Sequence, residues 1–161
     1  MTVKPMTPET DATPRLERIE SAMRDSMRAR DAQRTQTLRM AMAAAQNLRI
    51  AHGRDLTDDE VIDVLTKQVK QRRESIAMYR DAGHEDRATA EEQEAEILAE
   101  FLPTQLMPEE IEAMVRAAIE ETGATSPAEM GRVMGRIAPQ IRGRADGGLV
   151  SATVRRLLAE A

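Results

Sequence analysis

The sequence contains no cysteine, no tryptophan, one tyrosine and one phenylalanine. Without cysteine there is no disulfide, no thiolate nucleophile and no Cys-based zinc site, which fits a reducing compartment. Without aromatics, the core must be built from Leu, Ile, Val, Met and Ala, and stacking on nucleic-acid bases has almost nothing to work with. No apolar run approaches the ~20 residues of a membrane span. The opening MTVKPMTPETDATP has no hydrophobic segment, so it does not read as a secretory signal. These absences point to a cytoplasmic protein, bacterial-like in its economy, with no membrane partner.

Hydrophobic residues still make up 41% of the 161-residue chain. Length allows one domain or two small ones. Ala and Met favour helices, and strand-forming aromatic and β-branched residues are scarce, so composition predicts an all-α fold. The net charge of −5 is unevenly spread. Residues 1–84 carry 15 basic and 13 acidic side chains, residues 85–129 carry 2 and 13, and residues 130–161 carry 6 and 2. An acidic protein thus has a basic C-terminal end, a local asymmetry that suits a polyanion.

Residues 1–12 are rich in Pro and Thr without periodicity and are expected to be a disordered tail. Thr13 is a candidate cap and Pro14 suits a first helical position. Leu16, Ile19, Met23 and Met27 form one apolar stripe. Asp31 is placed to cap a second helix carrying Leu38, Ala41, Met42, Ala45 and Leu48; a kink and a full break near Arg30–Asp31 both fit. Gly53 suits a left-handed helix end. In LTDDEV, Thr57 and Glu60 have capping-box spacing, and Leu56 and Val61 have staple spacing. The helix that follows stops at Gly83, with Val61, Val64 or Leu65, Gln68 or Val69, Ile76 and Tyr79 inward. EDRATAEEQEAEILAEFLP is a fourth helix, ending before Pro103 and polar enough to be largely solvated.

LPTQLMP marks the expected boundary between a helical N-terminal domain, 13–102, and a three-helix C-terminal domain, 103–161. Pro108 opens a helix closed at Gly123. Ser126, Pro127 and Glu129 open the next, and Asp146 can cap the last, with Leu149, Val150, Val154, Leu157 and Leu158 apolar.

Candidate chemistry is sparse. His52 and His84 flank one helix of about 25 residues, which would hold them ~35 Å apart, so they read as surface caps. Glu91, Glu92, Glu94, Glu96 and Glu100 scatter around a helix axis and read as a solvated face, not a metal cage. GRADGGL lacks the preceding strand and the Lys and Ser/Thr of a phosphate loop. No cofactor, metal or catalytic residue is indicated. In KQVKQRRES the basic residues read as a salt-bridged exposed helix or an auxiliary phosphate-contact surface.

The unusual stretch is EMGRVMGRIAPQIRGRADGGLV. Gly131 and Gly135 interrupt a helix at roughly 1 kcal/mol each. They stack on one helix face, where they admit either a neighbouring helix or a phosphate backbone. Arg132, Arg136, Arg142 and Arg144 supply charge and bidentate geometry, and Gly143 accompanies them.

AEMGRVMGRIAPQIRGRADGGLVSATVRRLL, preceded by LPTQLMPEEIEAMVRAAIEETGA, resembles the YqeY-like proteins. These are related to the tail domain of the B subunit of the glutamine-dependent tRNA amidotransferase, a carbon–nitrogen ligase. RTQTLRMAMAAAQNLRIAHGRDLTDDEV and LTKQVKQRRESIAMYRDAGHEDRA resemble the family's helical N-terminal part. The likeness spans roughly residues 15–160. It implies long helices followed by a small three-helix unit, and a tail that helps grip the tRNA body. The catalytic cradle of the amidotransferase has no counterpart, so the resemblance implies binding and not catalysis by this chain alone. Met107 departs from the helix-capping Ser or Thr common in the family. The expectation is an accessory protein that binds tRNA or structured RNA through Gly131, Arg132, Gly135, Arg136, Arg142, Gly143 and Arg144. The alternative is an RNA-independent module that docks on a protein partner.

Overall fold

A computed structural model describes residues 14–161. Seven α-helices follow one another: α1 Arg15–Arg28, α2 Ala32–His52, α3 Asp58–Asp81, α4 Glu85–Ala99, α5 Pro108–Thr122, α6 Met130–Ile141 and α7 Gly147–Ala159. A 3-10 turn, Pro127–Glu129, leads into α6. Among the described residues there is no strand, and the fold is all-α.

Local signals set most helix ends. The chain breaks fully between α1 and α2, where Arg30 takes a φ of 57°. Asp31 caps α2 by accepting the Arg34 N–H at 3.0 Å. The buried hydroxyls of Ser26 and Thr35 pair at 2.7 Å across the break. Pro14 lies just before α1, not in its first turn, and Thr13 falls outside the described residues. Thr57 and Glu60 form the reciprocal capping box that opens α3. Gly53 and Gly123 close α2 and α5 in the left-handed conformation. At α5, Met107 offers no side-chain cap, and Glu110 reaches back to its N–H at 2.7 Å.

Two hydrophobic clusters form, and they share no residue. Ile19, Leu38, Val61, Leu65, Leu98 and Phe101 fill the first, among α1–α4. Val115, Val133, Ile137, Val154 and Leu158 fill the second, among α5–α7. Each fully buried side chain of this size contributes on the order of 1.5–3 kcal/mol. No helix of the first group lies alongside a helix of the second. Leu149, one of the apolar residues of α7, is half exposed.

The polar helix α4 keeps much of its surface in water, as expected, but its carboxylates also hold the bundle together. Carboxylates on it and at its end bind neighbouring helices: Glu94 takes the Arg72 guanidinium at 3.2 Å, Glu92 takes Arg80 at 2.5 Å, and Glu100 takes Arg34 at 2.8 Å. Arg72 is 5% exposed and also donates to the Gln68 carbonyl at 3.1 Å. The inner face of α3 therefore runs through Val61, Leu65, Val69 and Arg72, while Ile76 and Tyr79 are only half-buried.

Residues 103–107 have no regular secondary structure and bond to the turn between α6 and α7. The Leu106 N–H donates to the Arg144 carbonyl at 2.8 Å, and the Gln105 amide donates to the Gly143 carbonyl at 2.6 Å. These bonds fix the linker to the glycine–arginine stretch.

Candidate nucleic-acid interface

Helix α6 begins at a tight turn. The Glu129 carboxylate accepts the Thr125 N–H at 2.7 Å and the Ser126 N–H at 3.2 Å, which ties the turn to the helix start. From there the apolar spacing directs Val133, Ile137 and Ile141 into the core, with Met130 and Met134 packed beside them. The opposite side carries Gly131, Gly135, Ala138 and Pro139, all exposed. A Cβ added at Gly131 or Gly135 would meet nothing within 4 Å. The chain itself therefore lays no neighbouring helix on these glycines. Pro139, inside α6, has no N–H to give to the carbonyl one turn earlier, that of Gly135.

The four arginines divide into two pairs. Arg132 and Arg136 rise beside the glycine face, with side chains 60% and 49% exposed. Arg132 pairs with Glu129 at 3.0 Å and donates to the Thr122 carbonyl at 2.6 Å. Arg136 pairs with Glu121 at 2.6 Å. Arg142 and Arg144 lie past the end of α6 and turn inward to other elements. Arg142 grips Asp63 of α3 through two bonds, of 3.0 and 2.7 Å, and reaches Asp59 at 3.4 Å. Arg144 donates to the Thr104 carbonyl at 3.1 Å.

Gly143 between them has a packing role. Its φ is +70°, and a Cβ there would land on Ile62 Cγ2 and 3.3 Å from Pro103 Cδ. Only a residue without a side chain fits. The seven candidate residues thus form an open face, Gly131, Arg132, Gly135 and Arg136, and a structural turn, Arg142, Gly143 and Arg144. A shallow groove of about 520 Å³ separates α6 from α3 and is lined by Thr66, Gly135, Ala138, Pro139 and Arg142 among others.

Sequence reasoning missed the counter-charges. Asp59 and Asp63 stand one helical turn apart on α3, a like-charged pair that calls for a cation. Nothing in the spacing signals that Glu121 meets Arg136. Arg155 enters the sequence reading only as regional charge. It lies one turn beyond Ser151, whose hydroxyl touches the Met134 sulfur at 4.0 Å, and it has no ion-pair partner among the described residues.

A family model described as Yqey-like protein matches residues 16–158. The chain belongs to the YqeY-like family. It is 31% identical over 144 residues to a protein of Pyrenophora tritici-repentis named altered inheritance of mitochondria protein 41, mitochondrial, covering 86% of this chain and 76% of that protein. It is 31% identical over 85 residues to an uncharacterized protein of Schizosaccharomyces pombe, covering 53% of this chain and 69% of the relative.

In this YqeY-like chain the titratable groups near the face answer to their arginines and amides. The bond from Arg136 lowers the Glu121 carboxyl and raises the guanidinium. The Thr125 amide, ahead of the other donors, holds the Glu129 carboxyl low. Asp63 raises Arg142. Away from the face, Arg54 and then the Thr57 amide bring Glu60 down to about 2. His52 lies 3.3 Å from the same carboxylate, and His84 precedes α4 without a side-chain cap bond. Among the described residues no three His, Asp or Glu side chains gather where they could hold a metal ion, and no helix is long and apolar enough to cross a membrane.

Proposed function

We propose that this YqeY-like protein is a nonenzymatic accessory protein that binds tRNA or other structured RNA by its phosphate backbone, through the exposed face of α6. The observation that carries the reading is an uncovered Gly131–Gly135 surface flanked by Arg132 and Arg136. Glycine inside a helix costs about 1 kcal/mol against alanine, and here no close packing offsets that cost. A bare helix face lets a sugar–phosphate chain approach the main chain, while arginines at its edge offer paired donors to phosphate oxygens. The pairs with Glu129 and Glu121 are exposed, and exposed pairs are worth only ~0–1 kcal/mol. A phosphate can therefore replace either carboxylate at little cost. Arg142, Gly143 and Arg144 frame the end of the face. The near-absence of aromatics favours backbone and shape over base stacking. The resemblance to the amidotransferase tail supports the tRNA-gripping reading and, with it, a cytoplasmic location. The word mitochondrial in the fungal relative's name belongs to that protein.

Titration with bulk tRNA at two salt concentrations tests this. Binding that weakens steeply with salt supports it. Affinity no greater than that of an acidic control protein, or without salt dependence, removes it.

A protein-docking reading has its own support. Arg132, Arg136 and Arg142 already hold carboxylates and Arg144 holds carbonyls, and a stripe of small residues also accepts a partner helix. Partners captured with this chain that persist after nuclease treatment favour docking; partners lost on nuclease treatment favour RNA.

A further inference from the structure

The two hydrophobic clusters are joined by very little. No helix of α1–α4 runs along a helix of α5–α7. Across the gap, the Gly143 backbone rests on Ile62. The remaining bonds between the helices are ionic: Arg142 to Asp63 at 2.7 Å and to Asp59 at 3.4 Å, and Arg73 to Asp146 at 3.7 Å. All five of these side chains are at least one-third exposed. Thr104 and Leu106 bond to Arg144, and Gln105 bonds to Gly143, so residues 104–106 travel with α5–α7. Leu102 packs on the first cluster. The free joint is therefore at Leu102–Pro103.

We infer that α5–α7 is a hinged unit held closed by an ionic latch, Arg142 on Asp59 and Asp63, and that competing ions release it. Closure places Asp63 and Thr66 opposite Gly135, Ala138 and Pro139 across the groove. Opening about Leu102–Pro103 widens that groove and frees Arg142. The latch has the geometry of a switch. The guanidinium meets Asp63 fork to fork, a strong and directional contact, yet both partners face water, where salt screens them. Asp59 and Asp63 repel each other when Arg142 leaves, and Arg73 with Asp146 makes a second, longer contact between the units. An interface with no helix-on-helix packing, in which Ile62 is the main buried apolar side chain, moves by default. The inference concerns the free protein and stands apart from RNA binding.

The cysteine-free chain makes the test direct. Glu74→Cys on α3 and Ala159→Cys on α7, both exposed positions, carry spin labels whose separation is measured by pulsed dipolar spectroscopy. With the latch intact at low salt, one narrow distance is expected. Adding Asp59→Asn and Asp63→Asn should broaden it toward longer separations, and Arg142→Asp with Asp63→Arg, both on the Asp59→Asn background, should restore a narrow distance. A distribution that stays narrow in the Asn variant overturns the inference, and so does a reversed pair as broad as the Asn variant. Should the Asn variant lose helix content, the unsubstituted latch decides. Raising salt from about 0.1 M to 1 M shortens the screening length from ~10 to ~3 Å; broadening supports the latch, and an unchanged distance refutes it.

Discussion

Two glycines of one short stretch should respond oppositely to the same methyl group. Gly135 is helical and exposed, and a methyl group on its Cα would meet nothing within 4 Å. Ala there removes the backbone entropy cost, so Gly135→Ala should stabilise by about 0.8–1 kcal/mol. Gly131, at the second position of α6, should gain less, and the double variant should gain roughly 1.5 kcal/mol. For a chain of this length that corresponds to a melting shift of about 3–6 °C. Gly143 sits at φ +70° with Ile62 and Pro103 against it. A Cβ there incurs about 1–2 kcal/mol of left-handed strain and about 1–3 kcal/mol of overpacking. Gly143→Ala should therefore lose on the order of 2–5 kcal/mol by these terms combined. Urea unfolding followed by helical circular dichroism measures both. A destabilised Gly135→Ala would mean that its face is covered, and a Gly143→Ala that loses no more than the roughly 1–2 kcal/mol of left-handed strain would mean that the turn does not rest on α3. Either result refutes the division of the stretch into an open face and a structural turn.

Arg72 offers a second test. Arg72→Ala should cost about 3 kcal/mol, the low end for breaking a buried pair, because Glu94 keeps 26% of its side chain exposed. Arg72→Met with Glu94→Leu should recover most of that loss in the same unfolding assay, since apolar replacement of a buried pair is often neutral. The pH dependence of Glu60 has a definite sign. Its carboxyl is held at about 2 by Arg54 and the Thr57 amide, below the ordinary ~4.3 of an unfolded Glu. In that window the unfolded chain binds more protons, so the Glu60 contribution is full above about pH 4.3 and is lost as pH falls toward 2. Carboxyl NMR titration should place the Glu60 midpoint near 2, and Arg54→Ala should move it upward. A Glu60 midpoint in the ordinary carboxylate range would contradict the capping geometry.

Helix content, caps and the inward faces of α5 and α6 are legible in the sequence because they depend on neighbours three or four residues away. Thr57 with Glu60, Asp31, Gly53, Gly123 and Asp146 all act through such short spacings, and each performs the expected role. The burial of Arg72 is not legible, because periodicity scores a charged residue as outward; the stripe of Val61, Leu65 and Val69 passes through it, and Glu94 makes its burial tolerable. The polarity of α4 likewise hides its work, since Glu92, Glu94 and Glu100 each hold an arginine on another helix. Leu149 goes the other way, an apolar residue left at the surface. In the glycine–arginine stretch, residue types alone cannot separate Gly135 from Gly143. One faces open space and the other faces Ile62, a difference made by a residue some eighty positions away. The arginines are legible as a cluster, but their partners Glu121, Asp59 and Asp63 are brought in only by the fold.

The central claim is that the α6 face grips a phosphate backbone, and the salt dependence of tRNA binding tests it most directly. Arg132→Gln with Arg136→Gln removes both flanking charges, and exposed positions of this kind usually change stability by no more than about ±0.5 kcal/mol. Each lost phosphate contact lowers the slope of log affinity against log salt by roughly 0.7–0.9, so the double variant should lose about 1.4–1.8 from the slope and bind more weakly at every salt concentration. A double variant that melts like the parent and binds tRNA with the parent's affinity and slope would contradict the account.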